Sequence, residues 1–299
     1  MGHDHNHKPP VSSMRLLITL ILNLIITAAE IIGGVISGSL SLISDALHNF
    51  SDGIAVVISY IAIQLNERPK SPRYTFGLKR AQIVAAIINA SVLVVISLYL
   101  FYEAYNRFIA PEPINGGLMI VVALVGLLAN TIGTLLLRAG SKNNMNIRSA
   151  YLHLLSDAVS SMGVIIGGLA IWLWGVYWVD PLLTVLISLY ITKESYHILK
   201  EALDIVLMAS PGNISIEDIN DKLTAIDGIK NIHHVHLWQM DENHIHFEAH
   251  ADIEDRPVSE TVLLLEEIEK ILHKDYEINH VTIQFECDTC QVKDLLHNQ

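Results

Sequence analysis

Leu47-His48-Asn49-Phe50-Ser51-Asp52 and Leu152-His153-Leu154-Leu155-Ser156-Asp157 are one pattern written twice, each time inside a long apolar run. Residues four apart stack on one face of a helix. Each run, if helical, therefore presents an imidazole and a carboxylate on the same side. Two such helices face to face supply two nitrogens and two oxygens around one point. Neutral imidazole and ionised carboxylate suit Zn2+, which accepts a closed tetrahedron of N and O donors. The charge of a metal also offsets the cost of holding two carboxylates away from water. One such pair alone would be compatible with an interhelical hydrogen bond; its repetition favours a shared ligand set of His48, Asp52, His153 and Asp157.

The runs around these motifs belong to a larger series. Crossing a bilayer as a helix takes roughly 20 mostly apolar residues, and Leu16–Ile36, Leu42–Ile63, Ala81–Tyr102, Leu118–Leu137 and Leu152–Trp174 qualify. A sixth, from Val179 to about Ile191, is shorter; Asp180 and Pro181 suit its N-cap and first turn, and it continues as a wetter helix. The pattern predicts an all-α six-helix transmembrane domain over residues 14–208, preceded by a His-containing tail at 1–13. Glycines 163, 167 and 168, with Gly33 and Gly34, offer close-packing faces. Polar residues inside the spans are expensive and need a reason. Asp45, one turn before His48, and Glu30 read as residues that support the ligands from behind or carry protons, with Asn23 and Asn130 lining the same interior.

Composition agrees with a membrane protein. Apolar residues make up 51% of the 299, and the net charge of −12 falls mostly in the last third. That charge speaks against nucleic acid and for a solvated surface that attracts cations. Arg68, Lys70, Arg73, Lys79 and Arg80 lie between spans two and three, and Arg138, Lys142 and Arg148 between four and five; the other side offers only Arg107. Positive-inside logic puts both termini in the cytoplasm. Two cysteines, Cys287 and Cys290, with no signal peptide, fit a reducing compartment. Trp172, Trp174, Tyr177 and Trp178 gather at the outer boundary as an aromatic belt.

After the Ala209–Asn213 linker, residues 209–299 read as a small α+β domain of order αββαβ. Ser215 and Asp218 open a helix, strands follow at Ile229–Met240 and His244–Ile253, then a helix at Ser259–His273 and a strand at Asn279–Glu286. On the second strand His244, His246, Glu248, His250 and Asp252 share one face, and the apolar residues between them share the other. Cys287 and Cys290 form half of a tetrahedral zinc site that His3, His5 and His7 could complete, or they are two reduced thiols beside a loose tail.

Six spans, paired HxxxD motifs on spans two and five, and a small C-terminal domain resemble the cation diffusion facilitator family from about Met14 to Glu286. The resemblance implies a bacterial inner-membrane homodimer that exports Zn2+, and other divalent transition metals, in exchange for protons by alternating access. It maps the transport site onto His48, Asp52, His153 and Asp157. It also implies a metallochaperone-like tail with zinc bound by His233, His250 and Glu286, with His280 nearby. Strand parity instead puts His234 on the face of His250, so the two histidines stand as rivals. Some members hold a metal in the span two–three loop; the matching stretch here, Arg73 to Arg80, has no histidine, and none is expected. The competing reading is a membrane metal sensor that binds without translocating. Without an HExxH motif, a nucleophile–base pair or a Walker motif, neither an enzyme nor an ATP-driven pump is expected.

Overall fold

The computed structural model describes residues 13–66, 69–138, 145–287 and 294–296. Six long helices come first: α1 (Ser13–Ser37), α2 (Leu40–Asn66), α3 (Ala81–Ile109), α4 (Gly116–Arg138), α5 (Met145–Trp174) and α6 (Val179–Val206). Each contains one predicted span and runs a little beyond it. Among the described residues Ala81–Ile109, Gly116–Arg138 and Tyr151–Trp174 are long and apolar enough to cross a membrane, and Asn23–Ser37 is a shorter apolar stretch. The elements α7 (Ile216–Thr224), β1 (Ile229–Asp241), β2 (His244–Ile253), α8 (Val258–Tyr276) and β3 (His280–Glu286) complete the chain.

The chain forms two compact units, Met1–Ile61 with Ile88–Ile198, and Ala62–Ile87 with Leu199–Gln299. The loop between α2 and α3, the start of α3 and the end of α6 group with the C-terminal elements. In the first unit, glycines let helix backbones approach. A Cβ on Gly116 would lie 2.7 Å from the carbonyl oxygen of Gly168, and one on Gly33 would lie 2.4 Å from a Val122 methyl. These contacts join α4 to α5 and α1 to α4 in the small-residue manner of membrane helices. Leu42, Met119, Ala123, Val164 and Ile171 form the buried centre. Large apolar side chains face outward, Val95, Val159, Trp172 and Trp174 among them; water would penalise such a surface and hydrocarbon accepts it.

Asp180 serves a purpose other than the expected one. Its fully buried carboxylate accepts from Ser39 Oγ and Ser41 Oγ, both at 2.6 Å, and from the backbone N–H of Leu40 at 2.8 Å and Ser41 at 3.2 Å. It caps the start of α2 rather than its own helix, satisfying orphan first-turn donors with a charge of the favourable sign.

In the second unit α7 opens as predicted, with Ser215 Oγ accepting from the Asp218 N–H at 3.1 Å. Ile219 and Leu223 of α7 and Leu264, Ile268 and Leu272 of α8 pack on Phe247, Ala249 and Ala251 of the sheet. The strand order is β1-β2-β3, with β1 and β2 antiparallel and β3 parallel to β2 after the α8 crossover. His246, Glu248, His250 and Asp252 stand opposite His280, Thr282, Gln284 and Glu286, so the histidine-bearing face is shared by both strands.

Candidate metal centres

Helices α2 and α5 bring the repeated motif together. His153 Nε2 lies 3.2 Å from Asp52 Oδ2 and 3.6 Å from Asp157 Oδ2, and His48 Nε2 lies 3.6 Å from Asp52 Oδ2. One donor atom each from His48, His153 and Asp157 falls within 4.8 Å of the other two. Donors about 2.0–2.2 Å from a tetrahedral zinc stand roughly 3.3–3.6 Å apart, so the spacing suits such an ion. His48 Nδ1 and Nε2, Asp52 Oδ2 and Asp157 Oδ2 are buried without a hydrogen-bond partner. Orphaned buried polar atoms are costly, and here they belong to one imidazole and two carboxylates of the same cluster, as suits a site for a cation.

A cavity of about 320 Å³ runs beside the cluster, lined by Asp45, His48, Ser156, Asp157, Ser160 and Tyr190 among others. Ser160 Oγ donates to Asp45 Oδ1 at 2.9 Å. Behind His48, Asn49 Nδ2 donates to Glu30 Oε2 at 3.0 Å, and Asn23 Nδ2 donates to the Asn49 carbonyl at 3.3 Å. Glu30 is fully enclosed, and its other oxygen has no partner. Asp45 therefore opens onto the cavity and Glu30 lies behind it. Ser160 and Tyr190 were not singled out from sequence. Ser160 was legible in principle, three residues beyond Asp157 on the same face, whereas Tyr190 depends on how α6 packs.

The second cluster lies on the sheet. His233, which is 1% exposed, places Nε2 3.4 Å from Glu286 Oε2, and His250 Nδ1 lies 2.9 Å from Glu286 Oε1. Their three donor atoms fall within 4.8 Å of one another. His233 Nδ1 meets Asn231 Oδ1 at 3.1 Å, which fixes the ring with Nε2 toward the cluster. Gln284 Nε2 donates to Glu286 Oε1 at 2.7 Å and orients that carboxylate. The rivalry with His234 resolves through a β-bulge. His233 pairs with His250 and His236 with Glu248, with a register shift between them, and His234 has φ +53°. The extra residue reverses strand parity, so His233 joins the face of His250. His234 stacks its ring on His250 at 4.7 Å instead.

The structure does not bring His280 to this cluster. It pairs with His246, six positions along β3 from Glu286, with rings 4.7 Å apart. Cys287 is an exposed free thiol. Cys290, His3, His5 and His7 lie outside the described residues.

A buried His/Asp cage inside an apolar helical unit, followed by a small α+β unit with a His/Glu cluster, defines a class of metal-handling integral membrane proteins. The particular family follows from comparison with known proteins. Residues 16–207 match the cation efflux transmembrane domain and residues 211–287 the cation efflux protein cytoplasmic domain. The chain belongs to the cation efflux, or cation diffusion facilitator, family. It is 38% identical over 289 residues to a cadmium, cobalt and zinc/H(+)-K(+) antiporter of Bacillus velezensis, covering 96% of this chain and 92% of that protein. It is 37% identical to the zinc transporter ZitB of Pectobacterium atrosepticum (97% and 90% covered), and 36% identical to the metal cation efflux system protein CzcD of Cupriavidus metallidurans (98% and 92%).

Proposed function

We propose that the protein is a secondary transporter that moves Zn2+ out of the cytoplasm in exchange for protons, with His48, Asp52, His153 and Asp157 as its transport site. The observation that carries this reading is the convergence of buried, unpartnered nitrogen and oxygen atoms from α2 and α5. The names of a zinc transporter and a cadmium, cobalt and zinc antiporter among its relatives support the metal class, and the efflux descriptions of its family and of CzcD support the direction.

The coupling follows from ligand chemistry. Imidazole must be neutral and carboxylate ionised to hold a metal, so zinc arriving expels protons and protons arriving expel zinc. Histidine is suited to the exchange because its ordinary pKa lies near the pH of both compartments. Asp45, at the cavity beside the cluster, and Glu30, hydrogen-bonded to the residue after His48, are placed to pass or hold those protons. Six helices cross the membrane in this reading, with α2 and α6 carrying the polar interior and both termini in the cytoplasm of a bacterial inner-membrane homodimer. Residues 14–208 then form the transmembrane domain and 209–299 the cytoplasmic one. His233, His250 and Glu286 hold a regulatory zinc there.

The test uses proteoliposomes with a pH gradient and no ATP. Zinc uptake should follow the gradient in the native protein and be lost in His48→Ala and Asp157→Ala at equal incorporation. Normal flux in either variant sinks the assignment.

A further inference from the structure

The loop between α2 and α3, which has no histidine from Arg73 to Arg80, has other chemistry. Within the unit of Ala62–Ile87 and Leu199–Gln299, residues 73–81 wrap a cavity of about 630 Å³ together with Val84, Met208 and Met240. Its basic wall is Arg73, Lys79 and Arg80, and among the described residues no carboxylate lines it. Arg80 holds Nε and Nη2 out of solvent with no hydrogen-bond partner. The Arg73 guanidinium lies 5.6 Å from the centre of the Tyr74 ring, a cation–π contact that does not use up its N–H donors. Three cations brought together without an anion repel one another, and a guanidinium fork without acceptors is matched by phosphate oxygens.

The other wall is apolar and open. Phe76, Val84 and Met208 are 50%, 50% and 57% exposed. The cavity also sits where the loop becomes α3 at Ala81, the start of a helix whose most apolar 18-residue stretch, with mean hydropathy 2.5, suits hydrocarbon. Basic side chains at such a junction, with apolar ones beside them, reproduce the two halves of a lipid. A soluble phosphate would satisfy the cations and leave Phe76, Val84 and Met208 uncovered.

We propose that this cavity is a binding site for an anionic phospholipid, its phosphodiester held by Arg73, Lys79 and Arg80 and its glycerol and first acyl carbons lying on Phe76, Val84 and Met208. The site is independent of the zinc reading.

The experiment is native mass spectrometry of the full-length protein released from neutral detergent, titrated with phosphatidylglycerol or phosphatidylcholine. Each basic contact at a membrane surface is worth roughly a fivefold change in affinity. The native protein should therefore prefer phosphatidylglycerol by at least about tenfold. Arg73→Gln/Lys79→Gln/Arg80→Gln should fall to parity, while the matched removals Lys70→Gln and Arg148→Gln keep the preference. Millimolar inorganic phosphate should not displace the lipid. Equal binding of the two lipids by the native protein, a preference surviving in the triple variant, equal losses in the matched variants, or displacement by phosphate would each overturn the proposal. If the triple variant does not purify folded, Arg80→Gln and Arg80→Lys replace it. Arg80→Gln should lose about fivefold and Arg80→Lys less, and an unchanged preference in Arg80→Gln overturns the site.

Discussion

Asp180 and Asp157 are both buried carboxylates of the helical unit, and they differ in what reaches them. Asp180 accepts hydrogen bonds from two hydroxyls and two backbone amides. Asp157 keeps one oxygen without a partner and faces His153. The first is satisfied by its hydrogen bonds, and under the proposed transport site the second is kept for a ligand, so the same substitution should act in opposite ways. Asp180→Asn removes the charge that strengthens its hydrogen bonds and should lower stability by about 2 kcal/mol, read as an earlier thermal midpoint in detergent with zinc affinity close to native. Asp157→Asn relieves an unmet carboxylate. It should leave the metal-free midpoint equal or higher while zinc affinity falls at least about tenfold, measured by titration. A large loss of midpoint in Asp157→Asn would contradict the division of roles.

The helices and strands test packing at the next scale. A Cβ on Gly116 would meet the Gly168 carbonyl oxygen at 2.7 Å and the Trp172 nitrogen at 2.8 Å, backbone atoms that cannot swing aside, whereas on Gly117 the nearest atom is 3.5 Å away. Gly116→Ala should cost about 1–3 kcal/mol and Gly117→Ala should be neutral or slightly stabilising, read from paired thermal melts. On β2, burial pushes the His246 pKa below its ordinary 6.5, helped by His280, Lys79 and His244 and opposed by Asp241. The unfolded imidazole then takes up its proton first as the pH falls. The stability His246 contributes is whole above about pH 6.5 and fades as the pH drops through that value. Trp238 stacks on His246 at 5.2 Å, so its fluorescence is a local reporter. Native protein should lose midpoint from pH 7.5 to 5.5 more steeply than His246→Gln.

At this scale the sequence was legible where period alone decides. The spacing of the HxxxD pairs, the αββαβ order and the apolar runs all carry over into the elements observed. The choice between His233 and His234 was not legible, because a one-residue bulge reverses parity without a composition signal. Neither was the destination of the Asp180 carboxylate, since a cap supplied from a distant helix looks in sequence like a cap for its own.

For the molecule as a whole, the two clusters belong to separate units and should load separately. We expect two high-affinity zinc ions per chain, falling to one in His48→Ala/Asp157→Ala and to a different one in Glu286→Ala, counted by metal analysis of the purified protein. At zinc about a hundredfold above the dissociation constant each occupied site adds about 2.7 kcal/mol to apparent stability, which a chelator should remove in two steps. Equal zinc content in Glu286→Ala and the native protein would rule the sheet cluster out as a site. The Asp180 cap has a mechanical meaning beyond its hydrogen bonds. It pins α2 at Leu40, and Asp52 rides roughly 18 Å farther along that helix. With the pinned end as fulcrum, a tilt of ten degrees sweeps the Asp52 carboxylate through roughly 3 Å, more than the length of a zinc–oxygen bond. A small rocking of one rod about a fixed end would thus shift one carboxylate of the cluster by more than a metal–ligand bond.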